Sequence, residues 1–250
     1  MTDEASATVD SITAERKRLD LMELCVGYAL ILLVIWTPRP WQRALYWLPV
    51  LWILVVSWLS FDGWQKMGLH RANLLRSLWI VGIALLMAAV AVAVSWRLGT
   101  LHVPETPFLF FKTYIGYAVW SFVQQLLLLV FFLQRLLRLL PGKLSAALVT
   151  ATIFALAHLP NPILTPATLL WGLASCLLFL HYRNLYPLAL THAILGICIA
   201  TTVPGQVTHN MRVGLGYLRY RPHRYHQRNQ VDHMASTPAC VIADAPTRRS

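Results

Sequence analysis

Long runs of apolar residues, separated by short polar segments, recur along most of the chain. The runs are too long and too uniformly apolar for the alternating strands of a barrel. Because backbone exposed to lipid must satisfy its own hydrogen bonds, such runs favour helices. The pattern predicts an all-α fold, a polytopic membrane helix bundle of about seven to eight transmembrane helices. The predicted spans are residues 21–36, 45–60, 78–96, 111–133, 144–159, 163–180 and 185–203.

The polar and apolar segments divide the chain into four parts. Residues 1–20 form a polar N-terminal leader, and residues 21–110 form accessory transmembrane helices. Residues 111–203 form core helices, and residues 204–250 form a basic, largely disordered C-terminal tail. Seven spans after a cytoplasmic N-terminus would put this tail outside, against the positive-inside tendency. One more short or re-entrant element, near residues 207–218, would remove the conflict.

The composition agrees with a membrane protein, since 57% of the residues are hydrophobic and 12% are charged. A soluble domain carries about twice that charged share. The formal net charge is +11, which on a membrane protein favours positive-inside topology and contact with anionic lipid. The basic and aromatic stretch Arg212–Arg228 is expected to lie on an anionic lipid surface. Nucleic acid is not an expected partner, and the expected location is a bacterial inner or plasma membrane.

A few polar side chains interrupt the apolar runs of the core helices. Tyr117 and the pair Gln124–Gln125 share one helical stripe. His158 ends the next predicted helix, where it could simply bond free carbonyls, and His192 lies early in the last helix. Because an unpaired polar group in hydrocarbon is costly, these side chains should face the bundle interior. We therefore expect Gln124, His158 and His192 to converge on one cavity.

The order of these residues resembles the CPBP family, the CAAX-protease and bacteriocin-processing group, over about residues 111–202. Phe154-x-x-x-His158 matches the second motif of that family, and residues 185–192 are similar to the approach to its last catalytic histidine. The resemblance implies an intramembrane endopeptidase acting on membrane-anchored or lipidated substrates. In the family, a Glu and the first His are taken to activate a water, and the second His with its Asn to stabilise the oxyanion.

The chain departs from the family at two motifs. The first motif is Glu-Glu-x-x-x-Arg, and its three fixed positions hold Gln124, Gln125 and Leu129 here. The last motif is His-x-x-x-Asn or Asp, and here Gly196 takes its final position. Both carboxylates, the Arg and the last polar residue are therefore missing.

The remaining residues still allow hydrolysis. An amide does not take a proton from water, so Gln124 is no base, but it can hold a water. A neutral His158 could act as the base, and His192 could polarise a carbonyl. The candidate catalytic residues are therefore His158, His192, Gln124 and Gln125. No cofactor or metal is expected, because the two histidines supply two ligands and no Asp, Glu or well-placed Cys supplies a third.

Two functions remain open. The first is an endopeptidase with an altered Gln-Gln/His/His site, and the second is a catalytically inactive relative that binds membrane protein segments as a chaperone or regulator. A transporter is less favoured, since only the histidines are ionisable in the predicted core. Glu105, just before the core, is the carboxylate that could fold back over the bundle and compensate for the missing ones.

Overall fold

The computed structural model describes residues 2–60 and 63–221, with side chains from residue 13 onward, and within these residues every regular element is a helix. The all-α prediction is confirmed. The helices are α1 (Thr2–Ile35), α2 (Arg39–Leu45), α3 (Trp47–Leu59), α4 (Leu74–Arg97), α5 (Pro107–Leu126), α6 (Leu133–Leu139), α7 (Lys143–Leu156), α8 (Leu164–Tyr182), α9 (Leu185–Thr202), α10 (Gly205–Thr208) and α11 (Gly214–Leu218).

Five helical segments of the described chain are long and apolar enough to cross a bilayer. They are residues 39–59, 74–97, 107–139, 164–182 and 185–202. Many large apolar side chains along them are exposed, as expected for surfaces that face lipid. The protein is therefore an integral membrane protein, whereas the predicted count of seven to eight spans is not confirmed. α7 is apolar but has only 14 residues.

The segment from residue 107 to residue 139 is helical throughout, although the sequence predicts a span only to residue 133. A π-helical turn, Leu127–Phe132, joins α5 to α6 immediately after the glutamine pair. No proline or glycine occurs between residue 133 and Pro141-Gly142, so nothing in the sequence ends the helix earlier. Such π-helical turns shift the register of a helix and often occur near functional sites.

Two buried asparagines fix the loops around the core helices. Asn161 accepts from the backbone N–H groups of Ile163 and Leu164, which start α8. Its amide donates to the carbonyls of Thr208 and Arg212, so the loop before α8 is tied to the segment after α9. Asn184 caps α9 and donates to two carbonyls of the loop before α4. These bonds position the ends of α7, α8 and α9.

The core is formed mainly by α7 packing on α8 and by α9 packing on both α4 and α5. α1 packs against α3 and α6. Leu129, Phe131, Leu133, Phe179 and Leu185 are among the fully buried side chains of this core. The small residues on α7 and α8 allow close approach, since Gly172 lies directly over Ala151.

Two ion pairs join α1 to α6, and we call them the charged clamp. Arg135 Nε donates to Glu23 at 2.7 Å, and Arg138 donates to both carboxylate oxygens of Asp20 at 2.7 and 2.6 Å. Arg135 also donates to the carbonyl of Phe131 at 3.1 Å. Arg135 does not reach out to the interface, since its side chain is 3% exposed, whereas that of Arg138 is 38% exposed. The acidic pair lies one turn apart on α1 and faces the arginines, so the charge is neutralised inside the protein.

Part of the basic tail lies outside the described residues. Of the stretch Arg212–Arg228, residues 222–228 are not described, so its binding to lipid stays a prediction. Two short helices, α10 and α11, overlap residues 207–218, where an extra short element is expected.

Candidate functional site

A cavity of about 440 Å³ lies among α1, α5, α7, α8 and α9, and we call it the imidazole cavity. Gln124, His158 and His192 all line it, and so does Tyr117. Three helices that are distant in sequence therefore bring these polar groups together, as their isolation in apolar segments predicts. Gln125 does not line the cavity, but it is fully buried and contacts His192 from behind.

The ring of His158 is held by the last turn of α7. Its Nδ1 lies 2.7 Å from the carbonyl oxygen of Phe154. Because a carbonyl oxygen only accepts, Nδ1 carries the hydrogen and donates it. A neutral ring then has its lone pair on Nε2, the nitrogen that could accept a proton. The same bond is the structural use that the sequence also allows for this residue, so it fixes the ring without deciding its role.

The ring of His192 has the opposite proton arrangement. The amide nitrogen Nε2 of Gln125 lies 3.3 Å from Nδ1 of His192, with both side chains buried. An amide nitrogen only donates, so in this orientation Nδ1 accepts, and a neutral His192 carries its hydrogen on Nε2. The two neutral histidines thus offer one hydrogen-bond acceptor and one donor.

One aromatic side chain contacts both imidazoles. The ring of Phe154 is 4.8 Å from that of His158 and 6.0 Å from that of His192, both in edge-on geometry. Trp171 lies 6.5 Å from His192 on another side. These aromatic contacts restrict the orientation of the two imidazole rings.

Gly196 makes room for the phenol of Tyr117. Gly196 follows His192 by one helical turn on α9, and a Cβ atom at this position would overlap the hydroxyl of Tyr117. The phenol of α5 therefore fills the space that a side chain of α9 would otherwise occupy, close to His192. Tyr117 also lines the cavity. The sequence marks Tyr117 only as part of a polar stripe and gives no sign of its pairing with Gly196.

Three buried polar atoms near His192 have no hydrogen-bond partner among the residues that the structure describes. They are Gln125 Oε1, Thr191 Oγ1 and Trp171 Nε1. Buried polar atoms are nearly always satisfied in folded proteins, by protein groups or by water. None of these three residues lines the imidazole cavity, so this unused hydrogen-bonding capacity surrounds His192 on its other sides.

The compensating carboxylate that the sequence suggests is not at the cavity. Glu105 is exposed in the loop before α5, and no Asp or Glu within residues 13–60 and 63–221 lines the cavity. In the same part of the chain, no cluster of three or more His, Cys, Asp or Glu side chains could hold a metal ion. The chemistry that this site offers therefore depends on imidazole, amide and phenol groups.

Sequence reasoning overlooks a contribution from the first helix. Tyr28 of α1 lines the imidazole cavity, and its hydroxyl donates to the carbonyl of Ile153 at 3.1 Å. The sequence predicts only an accessory transmembrane helix here. The only sequence signal is one tyrosine hydroxyl within an apolar run, and this signal is too weak to predict a place in the cavity.

A second cavity, of about 640 Å³, lies between α4, α8 and α9, and its lining is almost entirely apolar. Tyr117 and His192 also line this apolar cavity, so they stand between it and the imidazole cavity. Thr168 of α8 likewise faces both. A chain of hydrocarbon in the apolar cavity would therefore lie beside His192 and Tyr117.

Fold and site together define a polytopic helical membrane protein with two imidazoles and an amide around one internal cavity. The chain belongs to the Rce1-like family of type II CAAX prenyl endopeptidases, whose model matches residues 26–198, more than half of its length. The match confirms the resemblance to the CPBP family, and it begins in α1, well before the segment that carries the motifs. The family is one of membrane-embedded CAAX-type endopeptidases. Comparison with curated proteins gives no match, and neither does comparison with solved structures.

Proposed function

We propose that the protein is an intramembrane endopeptidase in which His158, instead of a carboxylate, is the general base. The observation that supports this most directly is the opposite proton arrangement of the two histidines on one cavity, with Gln124 beside them. Family membership supports the reaction class, which is hydrolysis of a peptide bond.

The reaction begins with a water held by the amide of Gln124. His158 Nε2 takes a proton from this water while the water oxygen attacks the carbonyl carbon of the substrate. The carbonyl oxygen becomes an oxyanion, which accepts hydrogen bonds from His192 Nε2–H and from the hydroxyl of Tyr117. His158 then gives its proton to the leaving nitrogen as the C–N bond breaks, and the products are a carboxylic acid and an amine.

The missing carboxylate makes a slow enzyme the expected result. Loss of one positioned acid–base group typically lowers a rate by about 10²–10⁴-fold. A donor to the oxyanion contributes about 10²–10³-fold, so Tyr117 could offset part of the loss at the position where Gly196 supplies no polar side chain. Gln124 holds and orients the water, but it takes no proton from it.

The substrate that this arrangement favours is a membrane-anchored or lipidated peptide. The apolar cavity has room for a hydrocarbon chain, and Tyr117 and His192 border both cavities. A peptide bond next to a lipidated or membrane-embedded segment would then lie against the imidazoles. Burial of the apolar chain would supply binding energy for positioning.

The test is cleavage of a reconstituted membrane-anchored peptide, read by mass spectrometry, by the wild type and three variants. His158→Ala should abolish turnover, and Gln124→Ala should only weaken it by disordering the water. Gln124→Glu should raise turnover, because it places a carboxylate beside the imidazole at nearly unchanged size. Cleavage by the wild type that survives His158→Ala would defeat the histidine-base mechanism.

A second candidate is an inactive relative that binds membrane protein segments as a chaperone or regulator. The observation in its favour is that no carboxylate from the described part of the chain lines the imidazole cavity. For a binder, His158→Ala should leave capture of the membrane-anchored peptide intact, and the wild type should show no cleavage. Measuring capture and cleavage on the same four proteins separates the two functions.

The basic tail is a further part of this proposal. Arg212, Arg219 and Arg221 are its described cationic residues, and each basic residue near an anionic bilayer contributes about 1 kcal/mol. A peptide of residues 204–250 should bind vesicles containing phosphatidylserine and lose that binding at high salt. Equal binding to neutral vesicles would contradict the prediction.

A further inference from the structure

A third cavity, of about 650 Å³, lies where α6 ends and α7 begins, and it shares no lining residue with the imidazole cavity. We call it the basic cavity because its lining includes Lys66, Arg138, Lys143 and Arg183. The described residues that line it include no Asp or Glu. A concave surface with this excess of cations attracts an anion.

Backbone and amide groups add to the positive character of the basic cavity. α7 begins at Lys143, and its N-cap residue, Gly142, makes no side-chain capping bond, so the first N–H groups of a 14-residue helix are left available at the cavity wall. Gln134 also lines the cavity, and its buried Nε2 has no hydrogen-bond partner among the described residues. Helix N–H groups and an amide N–H are donors that phosphate oxygens accept.

The charge argument depends on Lys143 and Arg183. Arg138 already forms a bidentate pair with Asp20, so its charge is largely neutralised by the charged clamp. Lys143 is exposed at the start of α7. The guanidinium of Arg183 lies 5.6 Å from the ring centre of Phe179, which holds it at the end of α8. These two cations come from helix ends that meet at the cavity.

One part of the wall of the basic cavity is apolar. Leu137, Leu140 and Leu180 line it beside the cations. A free inorganic ion would gain nothing from these side chains. A phospholipid carries its glycerol and acyl chains next to the phosphate, where they can contact the leucines. We propose that this cavity binds an anionic phospholipid, with the phosphate against Lys143, Arg183 and the start of α7, and the glycerol and first methylenes against the leucines. This binding is independent of the peptidase reaction.

The test is a titration of the delipidated full-length protein in detergent with short-chain phosphatidylglycerol, read by native mass spectrometry and by the unfolding temperature. The wild type should bind phosphatidylglycerol more tightly than phosphatidylcholine. Lys143→Gln with Arg183→Gln should weaken phosphatidylglycerol binding about 25-fold, about fivefold for each charge. Lys143→Arg with Arg183→Lys keeps both charges and should retain binding. If the neutral pair of substitutions does not fold, Lys143→Gln alone should weaken binding about fivefold.

The matched control removes two exposed cations elsewhere, with Arg97→Gln and Lys112→Gln. Arg97 ends α4, whose other end contacts the end of α8 through Asn73, so the control lies away from the basic cavity. The control pair should leave phosphatidylglycerol binding unchanged. Equal weakening by both pairs would show diffuse attraction and overturn the proposal. Inorganic phosphate that binds as tightly as phosphatidylglycerol would overturn the assignment to lipid.

Discussion

The charged clamp and the surroundings of His192 are both polar clusters in an apolar bundle, but their hydrogen-bonding groups are used in different ways. In the clamp, Arg135 and Arg138 each meet a carboxylate of α1 at 2.7 Å or less. Around His192, three buried polar atoms lack a partner among the described residues. A polar cluster that is fully paired holds helices together, whereas one with unused donors and acceptors can receive a ligand.

The two clusters also differ in charge. The clamp places Asp20 and Glu23 of α1 against two arginines of α6, so these four formal charges cancel. The side chains around His192 carry no formal charge when the imidazole is neutral, which lowers the cost of burying them without a partner. Asp20 and Glu23 are thus used in ion pairs between helices, and the groups that line the imidazole cavity include no carboxylate from the described residues.

The largest expected effect comes from breaking the clamp on one side. Glu23→Leu removes the carboxylate that neutralises Arg135, whose side chain is 3% exposed, and leaves a buried charge without its ion pair. We expect a loss of about 3–5 kcal/mol in the free energy of unfolding, measured in detergent. Adding Arg135→Met to Glu23→Leu should recover most of that loss, because the charge is removed as well.

Equal losses in Glu23→Leu and in the double variant would contradict the clamp, since the ion pair would then matter less than packing. The candidate site provides the comparison. Gln124→Leu removes a polar group that carries no charge, so its effect on the free energy of unfolding should be much smaller than that of Glu23→Leu. Its effect should fall instead on cleavage or capture of the peptide.

The next largest effect concerns the contact between Gly196 and Tyr117. Gly196→Ala places a methyl group where the phenol lies, so the ring must move, and we expect a loss of about 1–3 kcal/mol in the free energy of unfolding. In a Tyr117→Ala background the same substitution should cost almost nothing, because its obstacle is gone. Thermal unfolding of the two single variants and the double variant measures this coupling.

Gly116→Ala is the matched control for that cycle. Gly116 is also helical and next to Tyr117 in the chain, but a Cβ there would meet no atom within 4 Å. Alanine should therefore stabilise the helix by up to about 1 kcal/mol. If Gly196→Ala were as benign as Gly116→Ala, the phenol would not occupy the space beside α9.

The sequence predicts the helices and the membrane class because apolar length alone carries that information. It also predicts that Gln124, His158 and His192 meet, since polar residues in apolar helices must face one another or water. It does not predict the clamp, because Asp20 and Arg138 are far apart in the chain and their pairing depends on how α1 packs. The contact between Tyr117 and Gly196 is missed for the same reason. Which nitrogen of each imidazole carries the hydrogen follows only from the bonds to Phe154 and Gln125.

The smallest expected effect comes from two threonines of one helix whose hydroxyls differ in their hydrogen bonding. Thr191 and Thr201 are both buried on α9. The hydroxyl of Thr201 donates to the carbonyl of Ile197 at 3.0 Å, whereas that of Thr191 has no partner among the described residues. Thr201→Val should lower the free energy of unfolding by about 1 kcal/mol, because a hydrogen bond is lost. Thr191→Val should raise it by about 1 kcal/mol, because a buried hydroxyl without a bond is replaced by a methyl group of the same size.

Unfolding of both variants in detergent, without substrate, measures the two signs. A loss of stability in Thr191→Val would contradict the prediction, since the hydroxyl of the wild type would then already have a hydrogen-bond partner.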